Sequence, residues 1–155
     1  MNTIFSNVVI GCEGLYALRD NKGNLSSIRH VGKTKIGNFV EIGANSTICS
    51  GTIDYTKIGN YVLIGPQVNI GHNVIVKDRT SIAGKSQING SVIISNNCSI
   101  WSSVVIKNDV LVGSYSTIGM GSIVTKNIKR NSIISCLNSM QIKDLVKLKK
   151  RIKYD

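Results

Sequence analysis

The chain has 155 residues, 42% of them hydrophobic but only 5% aromatic, so a single globular domain with an aliphatic core is expected. Its net charge of +11 is spread along the sequence with no aromatic platform or nucleic-acid motif beside it. That argues against nucleic acid and leaves attraction of phosphate-bearing substrates as a use for the charge. No apolar run reaches the roughly 18 residues of a membrane span, residues 1–10 lack the pattern of a secretory leader, and a cytoplasmic address is expected. Cys12, Cys49, Cys98 and Cys136 stand apart without a CxxC pair, so neither a disulfide framework nor a zinc site is expected, and Cys98 reads as a small core residue.

Residues 1–13 carry Ile4 and Ile10, six apart, and read as a first partial coil. Residues 14–30 break the pattern. They are rich in polar and turn residues (Arg19-Asp20-Asn21-Lys22-Gly23-Asn24) and read as a looped-out hairpin. The period returns with Ile36, Ile42 and Ile48, and residues 49–57 then hold an excess of four. From Ile58 the step of six runs through Ile64, Ile70, Val76, Ile82, Ile88, Ile94, Ile100, Ile106, Val112, Ile118 and Val124. Every one is Ile or Val, a coincidence on the order of one in ten million by chance. Four residues after the key position stands a second small or apolar residue, such as Val62, Val68, Val74 or Cys98. Residues 139–152 place Ile142, Leu145, Val146 and Ile152 near helical spacing, with Ser139 as N-cap. This predicts a C-terminal helix that caps the open end or packs on a neighbour.

A step of six suits neither a helix nor strands joined by hairpins. It suits short flat strands joined by tight corners, with Gly, Asn and Asp at the turns and each β-branched side chain pointing into a narrow prism. Stacked strands then lie roughly 4.8 Å apart, and like side chains pack on like from coil to coil. The prediction is an all-β parallel β-helix over residues 31–128. Loops extruded from such a scaffold are where sites are built.

The pattern [Ile/Val]-Gly-x-x-[Val/Ser/Cys]-x resembles the hexapeptide-repeat acyltransferases, which implies a left-handed helix with three hexads to each coil. More specific segments occur in order: Gly14-Leu15-Tyr16-Ala17, His30-Val31-Gly32, Ile42-Gly43-Ala44-Asn45-Ser46-Thr47-Ile48, Gly51-Thr52-Ile53-Asp54-Tyr55-Thr56 and Ile70-Gly71-His72-Asn73-Val74. Over residues 8–128 these are similar to the β-helix of the UDP-3-O-acylglucosamine N-acyltransferase family of lipid A synthesis. The chain departs from that family in several places. The uridine-binding domain of that family is not expected ahead of the helix here. A second functional His is replaced by Lys107-Asn108-Asp109, and an acidic residue by Gly65, while Gln67 is retained. Gly119-Met120-Gly121-Ser122-Ile123-Val124-Thr125-Lys126 resembles instead a stretch of small sugar acetyltransferases that use acetyl-CoA, although the Gly and Pro that usually follow it are absent from residues 135–140.

By itself His72 is a corner residue whose ring projects outward, as many structural histidines do. The resemblance implies that it is the general base, the role His fills best near neutral pH. With three hexads to each coil, Asp54 would lie one coil below His72 and Gly90 one coil above. Asp54 would orient the imidazole, its alternative being a plain turn residue, and the Gly90 N–H would stabilise an oxyanion. Gln67, Asn73, Gly84, Trp101, Gly119, Gly121 and Lys126 are assigned to substrate and donor binding, with Trp101 alternatively packing between subunits. His30 lies out of register with His72 and receives no chemical role.

The implied function is transfer of an acyl group, acetyl from acetyl-CoA first, to the amino group of a nucleotide-linked amino sugar in cell-surface glycan synthesis. Longer-chain transfer from acyl carrier protein and sugar O-acetylation stay open, as does a non-catalytic binding β-helix. A smooth prism has no deep pocket, so a homotrimer with sites between neighbouring helices is expected. No metal is expected, because the carbonic anhydrases of this fold need three His ligands and the chain has two histidines.

Overall fold

The computed structural model describes residues 1–135, and in it all twelve Ile and Val positions from Ile58 to Val124 are buried, none more than 3% exposed. Val62, Val68, Val74, Val92, Cys98, Val104 and Val110, four places further along each repeat, are buried with them. The very short strands suffice because each is hydrogen-bonded to its equivalents in the coils on either side. Asn69–Ile70 pairs with Thr47 and Ile48 on one side and with Gln87 and Ile88 on the other. Among the described residues these ladders make three parallel sheets, of seven, six and five strands. The expected parallel β-helix is therefore present.

From Ile58 the partners step by three hexads, through Val76 and Ile94 to Val112. Where the repeat carries a hydroxyl in place of Val, the oxygen stays buried and bonded. Thr80 Oγ1 donates to Ser95 O at 3.0 Å, Ser86 Oγ to Trp101 O at 3.0 Å and Ser116 Oγ to Lys129 O at 3.0 Å. Each thereby avoids the cost of an unmade buried hydrogen bond.

Asn and Asp do hold positive φ at several corners, Asn45, Asn73, Asn97 and Asp109 among them, but they are not alone there. The left-handed residue stands three after the key position and includes Tyr61, Gln67, Arg79, Lys85 and Tyr115. What holds these residues there is the N–H. Tyr61 donates to Asn38 O, Gln67 to Ala44 O, Arg79 to Asn60 O and Lys85 to Pro66 O, each one coil away. From Gly37 on, the glycine directly after the key residue has an ordinary φ and is small for another reason. A Cβ on Gly71 would lie 2.8 Å from Gly90 N, and one on Gly65 2.7 Å from Gly84 N.

Both interruptions are accommodated without loss of phase. Ile48 pairs with Ile10 across the first and Ile70 with Ile48 across the second, so the ladder continues although both coils are longer than three hexads. Residues 14–30 contain the expected hairpin, with Ala17–Arg19 antiparallel to Leu25–Ser27. The Asp20 carboxylate closes its turn by accepting from Lys22 N, Asn24 N and Asn24 Nδ2. These bonds, that from the Asn24 side chain foremost, hold its carboxyl below the usual value.

Cys12 and Cys49, far apart in sequence, are partners on stacked coils with Sγ atoms 3.7 Å apart. Burial above all, then the hydrogen bond and charge of Cys12, push the Cys49 thiol up to about 12, so it stays protonated. Cys98 is buried, as expected of a core residue. The helix expected at 139–152 lies outside the described residues. No helix among those described is long and apolar enough to cross a membrane.

If the inward Ile ladder carries the stability, Ile88→Ala should cost roughly 2–5 kcal/mol, as large-to-small core changes do. Ile123, in the same sheet but 74% exposed, should lose less than about 0.5 kcal/mol on the same change. Urea titration followed by far-UV circular dichroism compares the two, and equal losses would contradict this placement of the core.

Candidate active site

His72 sits at the corner between Asn69–Ile70 and Ile75–Val76, where both interruptions of the repeat converge. The bend of residues 52–54 supports the base of the hairpin, since Val31 N and Gly32 N donate to Thr52 O and Lys33 N to Asp54 O. The same bend reaches the other way. Thr52 N donates to Asn73 Oδ1 at 3.1 Å, and Thr52 Oγ1 contacts the same oxygen at 2.9 Å. A backbone N–H can only donate, so the Asn73 atom facing it must be the oxygen.

That assignment settles the imidazole. His72 Nδ1 lies 3.0 Å from Asn73 Oδ1, and an amide oxygen only accepts, so Nδ1 carries a proton and, in the neutral ring, Nε2 holds the lone pair. The residue that orients His72 is therefore Asn73, not Asp54 as expected. Asp54 is exposed, and among the described residues its carboxylate makes no hydrogen bond to His72. Asp54 ends the bend of residues 52–54, which belongs to the lengthened coil from Ile48 to Ile70, and its side chain is spent on solvent rather than on the imidazole.

Gly90 does lie one coil above His72, where Ser91 N donates to His72 O at 2.9 Å. Its φ is ordinary, and it is glycine for want of space. A Cβ there would fall 2.6 Å from both Cε1 and Nε2 of His72. Gly90 is buried, and its N–H donates to no protein acceptor among the described residues. The residue that closes over Nε2 of His72 thus carries a backbone donor with no protein acceptor among the described residues.

Sequence reasoning missed two ring neighbours of His72. His30, brought back by the hairpin, packs edge-to-face with centroids 5.5 Å apart, and Tyr16 does so at 6.0 Å. His30 is 9% exposed, and its Nδ1 accepts from Gly14 N at 3.2 Å. Its register offset from His72 gave no sign of the contact, because a hairpin folding back obeys no repeat.

The remaining expected site residues divide between two corners. Asn73 is beside His72, and the Ile106–Val124 pairing puts Lys126 on the same corner column, three coils above His72 and exposed. Gln67, Gly84, Trp101, Gly119 and Gly121 belong to the next corner. There Lys85 N donates to Pro66 O, Ser103 N to Gly84 O and Gly121 N to Ser102 O. Beside that corner an open cavity of about 370 Å³ lies along the seven-stranded sheet, lined by Leu63, Ile82, Ala83, Ile100 and Trp101 among others. One chain does not bring the two groups together. Among the described residues no three of His, Cys, Asp and Glu come close enough together to hold a metal ion.

The bacterial transferase hexapeptide (six repeats) family matches residues 55–90. UDP-3-O-acylglucosamine N-acyltransferase of Coxiella burnetii (strain Dugway 5J108-111) is 46% identical over 88 residues, 57% of this chain and 26% of that protein. The Bordetella pertussis protein of the same name is 33% identical over 130 residues, 82% of this chain and 36% of its own length. The chain thus spans about a quarter to a third of the curated relatives it matches. Among solved structures, a UDP-N-acetylglucosamine acyltransferase from Bacteroides fragilis superposes with a TM-score of 0.76 at 25% identity, over 97% of this chain and 57% of that one.

A Cβ at position 90 would displace the His72 ring. In a crystal structure of Gly90→Ala the imidazole is expected to rotate off Asn73 while the Ile ladder stays in place. A ring still 3.0 Å from Asn73 Oδ1 would contradict the packing described.

Proposed function

For this hexapeptide-repeat β-helix of the acyltransferase superfamily, we propose direct acyl transfer from a thioester, acetyl-CoA in the first instance, to the amino group of a nucleotide-linked amino sugar. One observation carries the proposal: His72, with Nδ1 tied to Asn73, offers the Nε2 lone pair beside the unpartnered N–H of buried Gly90. The sugar amine attacks the thioester carbonyl, and Nε2 accepts the amine proton as the C–N bond forms. The Gly90 N–H donates to the oxyanion. As the C–S bond breaks, the imidazolium returns the proton to the departing thiolate, leaving an amide and a free thiol. Asn73 keeps the imidazole in the reactive tautomer, as the carboxylate of a catalytic triad does.

Gln67, Gly84, Trp101, Gly119, Gly121 and Lys126 are assigned to donor and substrate. Most of them lie one corner away from His72, so a site that uses both corners needs a second chain. This supports an oligomer with sites between neighbouring helices, for which we propose the homotrimer and the cytoplasmic address expected from the sequence. A second reading, a longer acyl chain delivered by acyl carrier protein, is favoured by the apolar cavity beside Trp101 and by the acylglucosamine N-acyltransferase relatives.

His72→Ala should lower kcat by roughly 10²- to 10⁴-fold in a folded protein. Thiol release from acetyl-CoA, and separately from acyl carrier protein thioesters, with UDP-linked amino sugars as acceptors is the assay. Turnover near that of the parent protein would remove the mechanism. Sedimentation equilibrium of the active protein should give three times the chain mass, and an active monomer would refute the shared site.

A further inference from the structure

We propose that His30 is a positioning residue for His72: the hairpin of residues 14–30 delivers the His30 ring against the general base and fixes its orientation. This rests on the base role given to His72 above. His30 and His72 meet edge-to-face at 82° with centroids 5.5 Å apart, a favoured aromatic geometry. Gly14, where the hairpin begins, lies against both rings. A Cβ there would be 3.2 Å from His30 Cε1 and 3.4 Å from His72 Cδ2. The Gly14 N–H donates to His30 Nδ1, so the two ends of the insertion are tied through this imidazole, and its own proton must sit on Nε2. The His72 ring is thus confined by Gly90 at Cε1 and Nε2, by Gly14 at Cδ2 and by the His30 ring.

A second observation separates this role from packing alone. His30 Nε2 is buried and has no hydrogen-bond partner among the described residues. A buried donor left unpaired weakens a fold, and such groups call for an explanation outside stability. Phe would fill the space without that cost, yet would leave the Gly14 N–H without its acceptor. Histidine alone combines a ring for His72 with an acceptor for Gly14.

The test uses the full chain, whose only imidazoles are those of His30 and His72. Long-range ¹H–¹⁵N spectra of histidine-labelled protein read each tautomer directly and need no substrate, so they stand even if the acyl-transfer reading fails. The parent protein should show His72 protonated at Nδ1 and His30 at Nε2. In His30→Ala the His72 nitrogens should move towards a tautomer-averaged shift. Under the acyl-transfer assay kcat should fall roughly 10- to 100-fold, the usual consequence of a misplaced catalytic group, while the KM for the thioester stays within about twofold. His30→Phe, which restores the ring, should recover both the His72 tautomer and most of kcat. Should His30→Ala fail to fold, His30→Asn takes its place, since its amide oxygen can accept from Gly14 without supplying a ring. Unchanged His72 shifts in a folded ringless variant would overturn the proposal, as would a His30→Phe protein as impaired as His30→Ala.

Discussion

The structure depends on one repeated contact, a β-branched side chain lying on its equivalent in the next coil while the backbone between them is hydrogen-bonded. Ile70 on Ile48 and Ile88 on Ile70 show the unit, and every face of the prism repeats it. So short a strand has no stability of its own. It persists because its neighbours above and below satisfy its backbone groups and cover its side chain. Once that ladder is in register, each corner falls over the corner below. A glycine, a left-handed residue or a histidine then has a predictable neighbour.

The proposed chemistry lies where the register is perturbed but not lost. The two long coils, from Ile10 to Ile48 and from Ile48 to Ile70, place their extra chain at the His72 corner, so the hairpin, the bend at residues 52–54 and His72 support one another. The scaffold supplies stiffness, and the insertions supply the tautomer and the wall that a bare prism lacks. Asn73 is the joint between them, bonded to Thr52 in the bend and to the imidazole it adjoins.

Most of the fold was legible in the sequence because a six-residue step of Ile and Val leaves few alternatives, and its buried residues match that step. Gly90 was placed above His72 by counting, since the coils there have the regular length. Counting did not find the partner of the imidazole, because that partner is the adjacent Asn73 and not a residue one coil away. It could say nothing of His30, whose position depends on a hairpin folding back. Turn conformation accounts for only some of the glycines, such as Gly23 and Gly121. Gly65 and Gly71 answer to the crowding of stacked backbones, while the left-handed backbone falls on residues as unremarked as Arg79 and Lys85. The helical periodicity at 139–152 lies outside the described residues.

The lengths of the coils carry a consequence in chain entropy. Closing a loop costs only about 0.6 kcal/mol more for each doubling of its length. The step from a regular coil, Ile70 to Ile88, to the coil that holds the hairpin, Ile10 to Ile48, is close to one doubling. A solenoid can therefore take on a whole active-site insertion at one corner for less than the loss of a single buried methylene, provided the chain rejoins the ladder in phase.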